Sequence, residues 1–131
     1  MLLTEYEGKC LLREAGVTIP DGFLARSAGT VTRRKLPYPV AVKAQVASGS
    51  RGKAGGVIRA ATPAGARSAA RRILAMRFGE ERPAAVLVEP WLAIQRELYL
   101  SVTVDPAADG YLVLYAPRGL GVWFGRPAVR A

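Results

Sequence analysis

Lys43 is the one charged residue in the apolar run Val40–Val46, and the segment Ala47–Gly56 that follows is made almost wholly of small side chains. Two further cations, Arg51 and Lys53, stand in that segment among Gly49, Gly52, Gly55 and Gly56. A strand holds a lysine in a fixed direction. Glycines without Cβ let backbone N–H groups come close to anionic oxygens. Together these residue types suit a polyphosphate ligand and point to nucleotide chemistry. Taken singly they also fit blander roles: Lys43 could carry its ammonium out to water along an edge strand, and Arg51 and Lys53 could form a solvated hairpin tip.

The elements that must position these residues can be read from pattern and punctuation. Thr4-Glu5-Tyr6-Glu7 has the form of a capping box, so a helix starts at Thr4, keeps Tyr6, Cys10, Leu11 and Ala15 on one face, and stops at Gly16. Pro20-Asp21-Gly22 is a turn, Phe23–Ala25 a short strand, and Ser27–Lys35 a loop or weak helix. Val40–Val46 is a strand, with Val57–Ala60 its returning partner. Thr62-Pro63 opens a second helix running to about Met76, which buries Ala66, Ala69, Ala70, Ile73 and Leu74. Arg67, Arg71, Arg72 and Arg77 lie along it as a solvated basic face. Ala84–Pro90 is a continuous apolar strand carrying Glu89, and Trp91–Gln95 is a bend. Arg96–Asp105 alternates, with Leu98, Leu100, Val102 and Val104 on one side, as a half-buried strand does. Tyr111–Tyr115 is its antiparallel partner.

Composition narrows the function classes. The 131 residues are 50% hydrophobic with a mean hydropathy of +0.14, enough for a domain with a core. The 19 Lys and Arg against 10 Asp and Glu give a net charge of +9. Arg13, Arg26, Arg59, Arg82 and Arg126 are scattered and do not interleave with aromatic residues, which argues against a nucleic-acid stripe. Cys10 is the single cysteine, so no internal disulfide can form, and its place in the helical pattern reads as a buried thiol. There is no histidine, which removes the commonest general base and metal ligand. The N-terminus does not read as a signal peptide and no apolar run approaches a membrane span, so a cytoplasmic chain is the expectation.

Three blocks, LTEYEGKCLLREAGVTIP, VKAQVASGSRGKAGGV and VLVEPWLAIQRELYLSVTVD, resemble the β subunit of ADP-forming succinate–CoA ligase, in order and at plausible spacing, over Leu2 to about Tyr115. The resemblance implies the N-terminal lobe of an ATP-grasp fold: an α/β (α+β) lobe with a mixed or antiparallel sheet flanked by two helices, over residues 1–115. It implies ATP or GTP as ligand, Mg²⁺ in the full-length protein, and an α subunit as partner. By the same resemblance Lys43 contacts the nucleotide phosphates, and Ser50, Arg51 and Gly52, with Lys53 adjoining, form a loop over them. Glu89 is the acid of the adenine hinge, Trp91 and Leu92 lie beside the base, and Glu97 holds the ribose hydroxyls. On residue type alone Glu89 could equally cap a strand end, and Glu97 could pair with Arg96 on the surface.

The pattern also departs from the family. No Asp or Glu occurs after Asp109, so the late carboxylates that would hold Mg²⁺ are missing and the expected metal set is none. Arg118–Trp123 stands where the family carries a Gly-Gly-Val pattern, the closing GRPAVRA does not align, and residues 116–131 read as an irregular tail, truncated or aberrant. The expectation is a nucleotide-binding portion without turnover of its own. A related acid–CoA ligase such as a malate–CoA ligase, and a non-catalytic basic binding module, are the alternatives.

Overall fold

The computed structural model describes residues 2–47, 52, 54–105 and 109–117. It divides into two units, Met1–Leu92 and Ala93–Ala131.

In the first unit helix α1 spans Glu5–Glu14. Its start is the expected capping box: Thr4 Oγ1 accepts from the Glu7 N–H at 3.4 Å, and the Glu7 carboxylate accepts from the Thr4 N–H at 2.8 Å. This reciprocal pair satisfies two of the orphan groups at a helix start. Thr4→Ala is expected to lower stability by about 1 kcal/mol, read as a lower thermal midpoint by circular dichroism. An unchanged midpoint would contradict that role.

Strands β1 (Phe23–Ala25), β2 (Val40–Ala44), β3 (Val57–Ala60) and β4 (Val86–Pro90) form one sheet in the order β1-β4-β2-β3. Every pairing in it is antiparallel. The expected strands are present but shorter than their apolar runs: β2 stops at Ala44 and β4 begins at Val86. Between β1 and β2 the loop makes one short 3-10 turn, Ala28–Thr30. Helix α2 (Pro63–Ala75) has Thr62 as its N-cap, accepting from the Gly65 N–H at 3.1 Å, and proline in its first turn.

The core lies between α2 and one face of the sheet. Ala66, Ala69, Ala70 and Ile73 of α2 pack with Val40, Val42, Ala44, Val86 and Val88, while Leu74 is only partly buried. Alternation along β2 and β4 then fixes the rest. If Val42, Ala44 and Val88 face α2, Lys43, Gln45, Leu87 and Glu89 face the other way.

Helix α1 contributes nothing to that core. It has no buried residue; Cys10 is partly exposed, and Leu11 and Ala15 are exposed. The expected buried thiol is therefore corrected. The helical spacing of Tyr6 and Cys10 marks a face of α1, but that face docks mainly through polar groups.

The second unit holds a hairpin of β5 (Tyr99–Asp105) and β6 (Gly110–Ala116). The pairs Leu100–Tyr115, Val102–Val113 and Val104–Tyr111 put six apolar side chains on one face. All six are exposed, from 59% at Val113 and Tyr115 to 80% at Tyr111, and Leu98 is exposed too. The half-buried strand expected over Arg96–Asp105 is corrected in two ways. It starts at Tyr99, and its apolar side is open. Alternation reports that two faces differ; burial also needs a covering layer, and the described residues of this unit do not supply one.

Candidate functional site

Lys43 on β2 and Glu89 on β4 share the sheet face opposite α2. The register pairs Lys43 with Leu87 and Ala41 with Glu89, so the two are diagonal neighbours within reach of long side chains. Lys43 Nζ donates to Glu89 Oε1 at 2.6 Å. Helix α1 lies over this face and adds one charge of each sign from consecutive turns. Lys43 Nζ also donates to Glu5 Oε1 at 2.9 Å. Lys9 Nζ reaches Glu5 Oε1 at 2.8 Å and Glu89 Oε2 at 2.6 Å. Two ammonium groups and two carboxylates thus alternate around a closed ring with no net charge.

The ring is largely shielded from water. The Glu89 side chain is 4% exposed, and Lys9 and Lys43 are 18% and 22% exposed. Buried charges of this kind persist only when paired. Gln45 pins the start of α1 beside it: its Oε1 accepts from the Tyr6 N–H at 2.9 Å, and its Nε2 donates to the Ala44 carbonyl at 3.0 Å. Gly22 passes close to Glu89 from the other side. A Cβ there would lie 3.0 Å from Glu89 Cβ and 3.1 Å from the Val88 carbonyl oxygen, so any larger residue would crowd β4 and its neighbours would have to give by a few tenths of an ångström. A shallow cleft beside the ring is bounded by Cys10, Arg13, Ile19 and Leu87.

These pairings set a pH window. Burial alone would raise the Glu5 carboxyl, but hydrogen bonds from Lys9 and Lys43 hold it below its ordinary 4.5. Burial alone would lower Lys43, but hydrogen bonds to Glu89 and Glu5 push it above its ordinary 10.5. A lowered acid stabilises the fold above its unfolded value and loses that contribution as pH falls through the folded value; a raised lysine does so below its unfolded value and loses it as pH rises through the folded one. The thermal midpoint is therefore expected to be level between 4.5 and 10.5 and to fall outside those limits at both ends. Glu5→Gln should blunt the acid fall. An acid limb unchanged in that variant would contradict the pairing.

The other expected site residues are distributed as follows. Ser50, Arg51 and Lys53 lie outside the described residues. Gly52 is exposed, and its carbonyl accepts from the Gly55 N–H at 3.1 Å. Gly55 has φ +76°, a conformation that favours glycine, so the loop between β2 and β3 does need a residue without Cβ. Leu92 is 55% exposed and Trp91 43% exposed. The Trp91 N–H donates to the Pro39 carbonyl at 2.9 Å, and the Arg59 guanidinium lies 5.8 Å from its ring. Glu97 belongs to the second unit, is exposed, and precedes β5 rather than lying within it.

Glu5, Lys9 and Gln45 are functional candidates that the residue pattern alone does not single out. The available signal was the Glu5–Lys9 spacing, which puts both on one side of α1. Among the described residues no group of three Cys, Asp or Glu is placed to hold a metal. The carboxylates nearest Lys43 are Glu5 and Glu89, both already bonded to ammonium groups, so they do not make a Mg²⁺ site. No described helix is long and apolar enough to cross a membrane.

The chain is 41% identical over 121 residues to the β subunit of ADP-forming succinate–CoA ligase from Halobacterium salinarum, covering 91% of this chain and 32% of that one. It is 40% identical over 129 residues to the same subunit from Desulforapulum autotrophicum, covering 34% of that protein. The chain thus spans about a third of the length of the curated relatives it matches. A solved structure of dinucleotide-forming acetyl-coenzyme A synthetase 1 from Ca. Korarchaeum cryptofilum superposes with a TM-score of 0.71 at 22% identity, over 91% of this chain and 54% of that one, and shows the shared fold. The family model for the ATP-grasp domain matches residues 2–122, and with the antiparallel sheet and its lysine on the polar face, it establishes that the chain belongs to the ATP-grasp family.

Proposed function

We propose that this chain supplies the nucleotide-binding wall of a succinate–CoA ligase β subunit, the enzyme that joins succinate and CoA with conversion of ATP to ADP and phosphate. The observation that carries the reading is the convergence of Lys43 and Glu89 on one polar sheet face, beside a glycine loop, in a chain about 40% identical to such subunits. Lys43 neutralises phosphate oxygens as a point charge. An ammonium has three N–H donors; two of those on Lys43 are directed at Glu5 and Glu89, and among the described residues a third has no partner. That third donor is the one for a phosphate. The Ser50–Lys53 loop covers the phosphates, Glu89 holds Lys43 in place beside them, Trp91 and Leu92 flank the base, and Glu97 accepts the ribose hydroxyls. The chain binds and orients; this is the usual protein share in phosphoryl transfer.

Residues 1–115 act as the binding lobe. The carboxylates for Mg²⁺ and the α subunit carrying the acyl-transfer chemistry come from elsewhere in the assembly. The compartment is the cytoplasm. Calorimetric titration with ATP, with and without Mg²⁺, tests the reading. One-site binding that ADP competes away supports it. Binding that instead weakens steeply with salt and is matched by any polyanion would show a basic module that uses the α2 arginines.

A further inference from the structure

The ring on the sheet face contains more than the lysine and acid that the nucleotide reading uses. Lys43 is held by two carboxylates, Glu5 at 2.9 Å and Glu89 at 2.6 Å. Taken alone, those three groups carry one net negative charge at the place where a phosphate must approach. Lys9 cancels that charge. Its Nζ lies 2.8 Å from Glu5 Oε1, and 2.8 and 2.6 Å from the two oxygens of Glu89, so its contacts go to the same two carboxylates. Among the described residues Lys43 has a donor to spare and Lys9 does not. The two lysines therefore have different tasks although they share partners.

We propose that Lys9 is an electrostatic positioning residue of the nucleotide site: it neutralises Glu5 and Glu89 so that these carboxylates can orient Lys43 without repelling the phosphates it receives. This rests on the nucleotide-site reading above. Helix α1, which buries no side chain, is on this view held in place to deliver a balancing pair of charges. Charges a few ångströms apart in a site shielded from water interact far more strongly than on an open surface.

The test is the affinity of the 131-residue chain for AMP, ADP and ATP, measured by calorimetry on wild type, Lys9→Met, Lys9→Arg, Glu5→Gln and the double variant Lys9→Met/Glu5→Gln. Circular dichroism confirms each fold. Lys9→Met leaves the ring one charge negative and should weaken ATP about tenfold, ADP less and AMP least, because repulsion grows with phosphate charge. Lys9→Arg keeps the charge and should bind like wild type. The double variant is neutral again and should recover most of the loss. Glu5→Gln alone leaves the ring one charge positive and should shift preference towards ATP over AMP; it decides the matter even where Lys9→Met does not fold. An equal loss for all three nucleotides, or no recovery in the double variant, would overturn the proposal while leaving the nucleotide site intact. A wild-type chain that is folded and binds none of the three would overturn both.

Discussion

Replacing Glu89 by leucine is expected to lower the unfolding free energy by about 3 kcal/mol, the low end of what removing one member of a buried ion pair does. Leucine fills nearly the same space, so the effect isolates charge. Glu89 is 3% exposed and accepts from both Lys9 and Lys43. Without it two shielded ammonium groups share the single carboxylate of Glu5. The lysines keep partial contact with water, which is why the low end applies. Glu97→Leu is the control. Glu97 is exposed in the other unit, and its replacement should change stability by less than about 0.5 kcal/mol. Urea unfolding of the two variants measures the difference. A Glu89→Leu chain within about 1 kcal/mol of wild type would mean that the ring contributes little to holding the fold.

Lys43→Met should have the largest effect on ligand binding. Methionine keeps the apolar stem and removes the ammonium that meets phosphate. Loss of one charge-assisted hydrogen bond is worth roughly 1.5–3 kcal/mol, so ATP affinity is expected to fall about 10- to 100-fold. The variant leaves Lys9 as the only cation between Glu5 and Glu89, so its fold is checked by thermal unfolding and affinity is measured well below the midpoint. Unchanged ATP affinity in a folded Lys43→Met chain would remove Lys43 from the site.

Much of this architecture can be read from residue order. The capping box at Thr4, the Thr62-Pro63 start of α2 and the apolar runs of β2 and β4 are local signals, and each gave its element within a few residues. Lys43 stood out because a lone charge in an apolar strand run must face away from the core, and it does. Glu5 and Lys9 did not stand out. A Glu–Lys pair one turn apart is ordinary on any exposed helix; it acquires meaning only when the helix sits over a sheet face bearing the complementary pair, and that contact spans 80 positions between Lys9 and Glu89. Gly22 looked like a turn residue, and its closeness to Glu89 is a fact of tertiary packing. Cys10 and the β5–β6 hairpin misled for the opposite reason. Their periodicity was real, but periodicity shows which side chains share a face and not what lies across from it.

The most direct test is to titrate ADP into isotopically labelled protein and record which backbone amide signals move. The nucleotide-site reading predicts movement at Lys43, at Glu89, Trp91 and Leu92, and at Tyr6 through Glu5 and Gln45, saturating together with one dissociation constant. Shifts confined to α2 around Arg67, Arg71 and Arg72, or scattered shifts that vanish at moderate salt, would contradict it and show that the basic surface, not the polar face of the sheet, meets the ligand.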